Sequence, residues 1–430
     1  MTKSIDLIRL WQDIVSAGGR NAYVEKQLRE RGFLVEQKET ATMNARELER
    51  YKKELKQEAA EKKKIRKETW QAYKASHIVH VGEGIYFNDA DDMDLRDLPD
   101  GAERLAENDL PRMASPSDLA KAMGLGINRI RWLAYHRDAA SRIHYRRFFI
   151  TKRDGSQRPI WAPLPQLKAA QRWIMSNIAE KLPVHGACHG FLLGRSILSN
   201  ARVHRNAKFI VKFDIKDFFP SVTFARVKGL FRKAGYQEQV AILLALICTE
   251  APREIVEYQG KTWYVSLGPR CLPQGAPTSP AITNTLCLSM DRRLSGLAAK
   301  HGWRYTRYAD DLTFSFPAES KDSPQLNLLL GAVPQIVKEE GFVIHPEKTR
   351  ILRPGGRQTV TGLVVNENSN PRVPRKLKRQ IRAAIHNLKK GQPLKEGESP
   401  QTLAGYAAYI RMSDPKLGKH MQEELLPYIS

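Results

Sequence analysis

Apolar positions are sparse near the N-terminus and dense later in the chain. From Arg46 to Lys74 they recur only at Leu48, Tyr51, Leu55, Ile65 and Trp70, inside a run rich in Arg, Lys and Glu. That pattern predicts one long helix, most of it in water. Asp89, Asp91, Asp92, Asp94, Asp97 and Asp100, interrupted by Pro99, then read as a loop or linker. Ser115-Pro116-Ser117-Asp118 opens a helix with Leu119, Ala122 and Met123 on its apolar side and Gly124 as its stop. Phe148-Phe149-Ile150, the turn Asp154-Gly155 and the return Arg158-Pro159-Ile160-Trp161 predict a β-hairpin. Leu167, Ala170, Ile174, Ile178 and Leu182 mark a helical core stripe.

Further on, Phe209-Ile210-Val211-Lys212-Phe213 predicts a buried strand that ends in Asp214. Ser279-Pro280 opens a helix carrying Ile282, Leu286 and Met290. Trp303 to Phe316 predicts two short strands around a tight acidic turn, and the segment from Pro371 onward is helical and basic. Strands and helices mix without regular alternation, so the fold class is α+β.

Composition narrows the partners. The 430 residues carry 70 Lys plus Arg against 46 Asp plus Glu, a formal charge of +24. Such an excess calls for a polyanion. The longest uncharged apolar run, Val240 to Cys248, is too short to span a bilayer, and Met1-Thr-Lys-Ser-Ile-Asp lacks the apolar stretch of a secretory signal. Nucleic acid in the cytoplasm, with no membrane, is the expectation. Cys188, Cys248, Cys271 and Cys287 show no CxxC spacing, which argues against a disulfide framework or a zinc ribbon. His185, Cys188 and His189 cluster, but no second ligand pair follows at a finger-like distance.

The sharpest chemistry lies in Tyr308-Ala309-Asp310-Asp311. Adjacent carboxylates at a hairpin tip repel one another unless a cation neutralises them; an ordinary exposed Asp turn is the competing reading. Flanking Tyr305, Leu312 and Phe314 would hold the tip rigid. Asp214 ends an apolar strand, and carboxylates from two neighbouring strands suit a metal pair that clamps the oxygens of phosphoryl transfer. Asp217, three residues on, is assigned a supporting or capping role.

These segments resemble a known family. FDIKDFFPSV (213–222), LPQGAPTSP (272–280) and RYADDLTFS (307–315) resemble, in order, the palm motifs of reverse transcriptases. KRDGSQRPIWAP (152–163) is similar to the fingers hairpin, and HPEKTR (345–350) to the palm motif that carries a lysine. The NAxxH pattern at 200–204 and VTG at 360–362 resemble bacterial retron reverse transcriptases in particular. The resemblance runs from about Ser115 to the C-terminus and leaves the N-terminal quarter without a counterpart.

The resemblance implies a right-hand polymerase with a helical, charged N-terminal extension over 1–114, fingers over 115–205, a palm over 206–365 and a basic thumb over 366–430. It implies two Mg²⁺ ions on Asp214, Asp310, Asp311 and the carbonyl of Ile215. Phe219 would lie beneath the incoming sugar and disfavour a 2′-hydroxyl, the alternative being core beside Phe218. Gln274 and Gly275 would shape the nucleotide pocket. Lys152, Arg153 and Arg158 would meet the triphosphate, unless the first two are simply solvated. Lys348 would protonate pyrophosphate, unless it is an ordinary surface lysine. Asn200 and His204 would offer hydrogen bonds to RNA, and Arg375, Lys376, Lys378, Arg379 and Arg382 would track a duplex backbone.

As implied function, the chain copies part of a dedicated structured non-coding RNA into a branched RNA–DNA hybrid for anti-phage defence. The implied partners are deoxynucleoside triphosphates, host RNase H and an effector protein. An intron-type or diversity-generating reverse transcriptase, or an RNA-binding scaffold, are the alternatives. Clustered carboxylates argue against the scaffold.

Overall fold

The computed structural model describes residues 7–30, 38, 40, 43–78, 80–83, 97–151 and 155–429. Asp89, Asp91, Asp92 and Asp94 of the acidic stretch, and Lys152, Arg153 and Asp154 of the hairpin turn, lie outside the described residues.

The N-terminal part is helical: α1 (Leu7–Ser16), α2 (Arg20–Glu30) and α3 (Ala45–Ser76). Asn44 caps α3 in a capping box with Glu47, which fixes the start of the long charged helix that the pattern predicts. The chain then enters the body, where Ile78 and Val81 are buried. Next come α4 (Gly101–Glu107), α5 (Pro116–Ala122), α6 (Ile127–Ala134), β1 (Ala139–Ala140) and a hairpin of β2 (Tyr145–Thr151) and β3 (Gln157–Pro163). After these lie α7 (Pro165–Asn177), α8 (Ile197–Val203), β4 (Ala207–Asp214), α9 (Phe224–Lys233), α10 (Glu238–Cys248), β5 (Arg253–Tyr258) and β6 (Lys261–Ser266). The chain continues through α11 (Ser279–Leu286), α12 (Leu288–Lys300), β7 (Arg304–Tyr308), β8 (Asp311–Pro317), α13 (Leu326–Glu339), β9 (Arg350–Leu352), β10 (Thr359–Val360) and β11 (Leu363–Val364). Three helices close it: α14 (Arg375–Lys389), α15 (Pro400–Ser413) and α16 (Pro415–Leu425).

The central sheet has the order β7-β8-β4-β9, antiparallel throughout. Alternation along its strands sorts the two faces. Val211, Phe213, Leu312, Phe314 and Phe316 enter the larger core with Met290 and Leu294 of α12. Ile210 on the other face joins a second core built from α8 and the three C-terminal helices, with Ile381, Ile385, Leu403 and Ile410 at its centre. The second face is polar elsewhere: Lys212 pairs with Thr313 and Asp214 with Asp311.

Two elements end earlier than the periodicity suggests. Ile178 and Leu182 are buried, but α7 stops at Asn177 and a 3₁₀ turn carries the chain on. Thr278, not Ser279, is the N-cap of α11, and the chain restarts as α12 after Cys287, so Met290 belongs to a second helix.

Asn200 and His204 differ most from expectation. Both are fully buried, so neither side chain offers hydrogen bonds to RNA. His204 Nδ1 is hydrogen-bonded to Ser315 Oγ and Nε2 to Thr306 Oγ1, each at 2.7 Å. The Thr306 hydroxyl donates to Asn200 Oδ1 at 2.5 Å. These two residues clamp α8 onto the polar face of β7 and β8. Their spacing looks like a recognition motif because a buried polar clamp needs the same residue types.

Burial pushes His204 down to about 3. The folded state therefore keeps it neutral, while the unfolded chain takes up a proton below pH 6.5. This stability is complete above pH 6.5 and is lost as pH falls toward 3. The loss reaches about 2 kcal/mol by pH 5 at 1.36 kcal/mol per pH unit. His204→Asn should lose less stability than the wild type between pH 7.5 and 5.0, read by denaturant unfolding at each pH. Equal losses would contradict the assignment.

Candidate active site

The β4–β8 register sets Asp214 directly opposite Asp311, and Tyr308 opposite Asp311 closes the β7–β8 turn at Ala309-Asp310. Ala309 adopts φ 56°, a left-handed conformation that costs a non-glycine residue energy. Two backbone hydrogen bonds tie the next segment to this turn and strand end: Ile215 N–H donates to the Asp310 carbonyl at 2.9 Å, and His345 N–H to the Asp214 carbonyl at 2.7 Å. The three carboxylates thus come from two strand ends and one turn, all braced by main chain.

Beneath the turn sits Arg307, a fully buried residue on the core face of β7. Its Nη2 donates to Asp291 Oδ2 at 2.8 Å and its Nε to Asp291 Oδ1 at 2.9 Å. Nη1 donates to Asn284 Oδ1 at 2.9 Å and to the Ala309 carbonyl at 3.3 Å. Asn284 in turn donates to the Gly190 carbonyl at 2.9 Å. A Cβ built on Gly190 would lie 2.6 Å from Ala309 N, so only glycine allows the 187–190 loop to lie against the acidic turn. His189 N–H donates to the Arg307 carbonyl at 2.8 Å, and burial pushes the His189 imidazole down to about 4.

Burial first, then the neighbouring Asp311 charge, pushes the Asp310 carboxyl up to about 6. Burial also raises Asp311, opposed by Lys212, whose Nζ lies 3.9 Å from Asp311 Oδ1. Lys348 Nζ donates to Asp214 Oδ1 at 2.7 Å. At Asp310 the Lys348 charge opposes the rise that burial and the other two carboxylates impose. Among the described residues, no three acidic, His or Cys side chains already converge as a closed metal cage. The donor set nevertheless fits a hard divalent cation, since carboxylate and carbonyl oxygens are its preferred ligands.

Of the three carboxylates, Asp310 lines a cleft of about 760 Å³, the size range of small-molecule sites. Arg158, Ile215, Phe219, Gln274, Gly275, Asp310 and Lys348 all line it. Phe218 and Phe219 both line the cleft, Phe218 buried and Phe219 half-buried. Gly275, at φ +121°, has no room for a Cβ, which would lie 2.7 Å from the Trp161 carbonyl. The Trp161 N–H donates to the Gln274 carbonyl at 2.8 Å. The close approach that glycine permits is therefore to the β2–β3 hairpin. Asp217 is exposed at φ 47° on the cleft wall, and its carbonyl accepts from Ser221 N–H.

Sequence reasoning did not pick out Arg307, Asp291, Asn284 or Phe191 as functional. Phe191, exposed at φ 58°, places its ring centroid 6.4 Å from Phe219 and 6.5 Å from Tyr308, on the same cleft. A lone Arg before the acidic turn carries no signal of burial. The nearby glycines around Phe191 were the available hint of a shaped loop.

The basic residues of α14 divide. Arg375, Lys376, Arg379 and Arg382 are exposed. Lys378 is not free for a phosphate: it is half-buried, and its Nζ donates to Asp414 Oδ2 at 3.2 Å, tying α14 to the start of α16. No described helix is long and apolar enough to cross a membrane.

The sequence profile of the family described as "Reverse transcriptase (RNA-dependent DNA polymerase)" matches residues 150–383. Retron Mx162 reverse transcriptase of Myxococcus xanthus is 48% identical over 96% of this chain and 87% of its own length. Retron Mx65 reverse transcriptase of the same organism is 40% identical over 77% of this chain and 76% of its own. Retron Ec86 reverse transcriptase of Escherichia coli is 34% identical over 76% and 92%. Among solved structures, Candida albicans telomerase in complex with a fragment of telomeric RNA aligns with 11% identity over 65% of this chain and 56% of that one, at a TM-score of 0.37. With the family match spanning more than half of the chain and one retron enzyme nearly all of it, the chain belongs to the retron reverse transcriptases and is an RNA-directed DNA polymerase with the right-hand fold.

Proposed function

We propose that this polymerase adds deoxynucleotides at Asp214, Asp310 and Asp311 using two Mg²⁺ ions, and that it copies part of one dedicated structured non-coding RNA. The observation that carries the reading is the Asp214–Asp311 register beside Asp310, which lines a nucleotide-sized cleft. Reverse transcriptases use divalent metal ions. Asp214, Asp310, Asp311 and the Ile215 carbonyl are the groups that would hold them. Bound there, they would favour the attacking 3′-oxygen and neutralise the leaving pyrophosphate.

The chain's own residues do the rest. Arg158 on the cleft wall offers a planar donor to the triphosphate, a task Lys152 and Arg153 would share. Phe219 presents its ring where a 2′-hydroxyl would crowd it. Gln274 and Gly275 hold the hairpin against the pocket through Trp161. Lys348 is already within hydrogen-bonding reach of the carboxylates and is the proton donor to pyrophosphate in this reading. Exposed Arg375, Lys376, Arg379 and Arg382 track the duplex backbone.

The division into extension (1–114), fingers (115–205), palm (206–365) and thumb (366–430) belongs to the same reading. In this reading the RNA serves as both template and primer, and the branched RNA–DNA product starts from an internal 2′-hydroxyl. Host RNase H and an effector in anti-phage defence complete the proposal, in the cytoplasm.

Replacing Asp310 and Asp311 with Ala should lower Mg²⁺-dependent primer extension by roughly 10³-fold or more while leaving RNA binding within about threefold, because phosphate contacts lie elsewhere. Retained synthesis would remove the assignment. Phe219→Val should raise ribonucleotide incorporation relative to deoxynucleotide by roughly tenfold or more, the scale of one steric contact. Single-nucleotide addition measures it, and unchanged discrimination would make Phe219 a wall residue only.

A further inference from the structure

One sector of helix α3 is rich in lysine and poor in acid, while Arg46, Arg50, Lys53, Lys62, Lys64 and Arg66 lie outside it. At 3.6 residues per turn, Lys52, Lys56, Lys63, Lys67, Trp70 and Lys74 share a sector about 60° wide. Glu47, Glu54, Glu58, Glu61 and Glu68 share a sector about 80° wide on the opposite side; Glu49, at the N-terminal end, is the acidic residue that falls beside the lysines. A helix stabilised by its own ion pairs places opposite charges three or four apart on one face. Here that holds for Arg50–Glu54 and Lys62–Glu58, and the lysine stripe departs from it.

The stripe is open. Lys52, Lys56, Lys63 and Lys67 are exposed, and among the described residues none of them has an ion pair. Leu48, Tyr51, Leu55 and Tyr73, the partly covered apolar and aromatic positions, lie about 90° away from it, while Lys74 within the stripe is itself partly covered. The half-buried side thus leaves the lysines facing water. Trp70 is 49% exposed at the body end of the stripe, with Lys74 Nζ 5.6 Å from its ring centroid. That end is anchored: Tyr73 stacks on His77 at 4.3 Å, and Ile78 is buried in the main core. The helix is about 48 Å long at 1.5 Å per residue, so it is a rooted rod rather than a loose tail.

We infer that this face of α3 is a binding surface for the phosphate backbone of a folded RNA stem, separate from the polymerase cleft and from α14. A straight row of ammonium groups matches a row of phosphates, with no side chain suited to reading base edges except Trp70, which can stack on an unpaired base next to the stem. Binding is therefore by shape and charge. The inference rests on the reading that the enzyme works on a structured RNA and names where outside the cleft that RNA is held.

The test uses the full chain carrying Lys52→Gln, Lys56→Gln, Lys63→Gln and Lys67→Gln together, with Glu54→Gln, Glu58→Gln, Glu61→Gln and Glu68→Gln as the control. The probe is an RNA hairpin with a stem of about 20 base pairs, comparable in length to the helix. Fluorescence anisotropy across salt concentrations should show the lysine variant binding roughly tenfold or more weaker. The slope of log K against log salt should fall by about 3, near one unit per lost phosphate contact. The control should bind at least as tightly as the wild type. Extension of a short annealed primer–template, which engages the cleft and α14 but not α3 in this reading, should be unchanged in both, so failure of the polymerase reading would show separately. Wild-type affinity and slope in the lysine variant, with helicity intact by circular dichroism, would overturn the inference. So would unchanged RNA binding with lost binding to phosphatidylglycerol vesicles, or equal losses in hairpin binding and short-primer extension.

Discussion

Arg307 holds a permanent charge away from water, and each of its three nitrogens donates to a partner at or beneath the acidic turn. Asp291 on α12 takes two of its nitrogens, Asn284 on α11 a third, and the Ala309 carbonyl shares that third donor. Removing two charges from water is costly, and only close geometry with satisfied hydrogen bonds offsets it. The same requirement makes the pair unforgiving: the guanidinium cannot move without exposing Asp291 or abandoning the turn. The strained backbone at Ala309 and the close approach of Gly190 both persist under that clamp.

From this fixed point the arrangement of the three carboxylates follows. Antiparallel pairing puts Asp214 across from Asp311, and alternation sends both to the polar face while Leu312 and Phe314 anchor the strands in the core. The far end of that polar face is covered by α8 through His204 and Asn200, and the aspartate end remains open to the cleft. One sheet face therefore serves two needs, a sealed polar clamp and an accessible acidic site. The β2–β3 hairpin reaches the same cleft because Gly275 lets the Trp161 carbonyl come close. Charge is distributed likewise, with cations at the cleft rim, on exposed α14 and along one side of α3.

Much of the acidic site was legible in the sequence because its signals are local: an apolar strand ending in Asp214, an acidic turn between two strands, a Gly in LPQGAP. The hairpin and the long charged helix were legible for the same reason. What escaped depends on distant partners. Nothing around Lys378 foretells that Asp414 will take its charge, and nothing in NAxxH separates a surface recognition pair from an internal clamp until Thr306 and Ser315 arrive from another part of the chain. Arg307 adjoins the most conspicuous motif, yet its role is set by Asp291, sixteen residues earlier in a different element. Helix restarts such as that at Cys287 are invisible to periodicity, because the apolar rows of α11 and α12 continue across the break.

A double-mutant cycle on the buried pair tests most directly the claim that Arg307 and Asp291 hold the catalytic turn in place. Arg307→Met and Asp291→Leu would be made singly and together, with unfolding free energy and primer-extension rate measured for each. Each single change should cost about 3–5 kcal/mol by stranding a buried charge, and the double change should recover most of that stability. The account predicts that the extension rate of the double variant stays far below wild type, since Asn284 and the Ala309 carbonyl have still lost their donor. A rate that recovers together with stability would contradict it and reduce the pair to core packing.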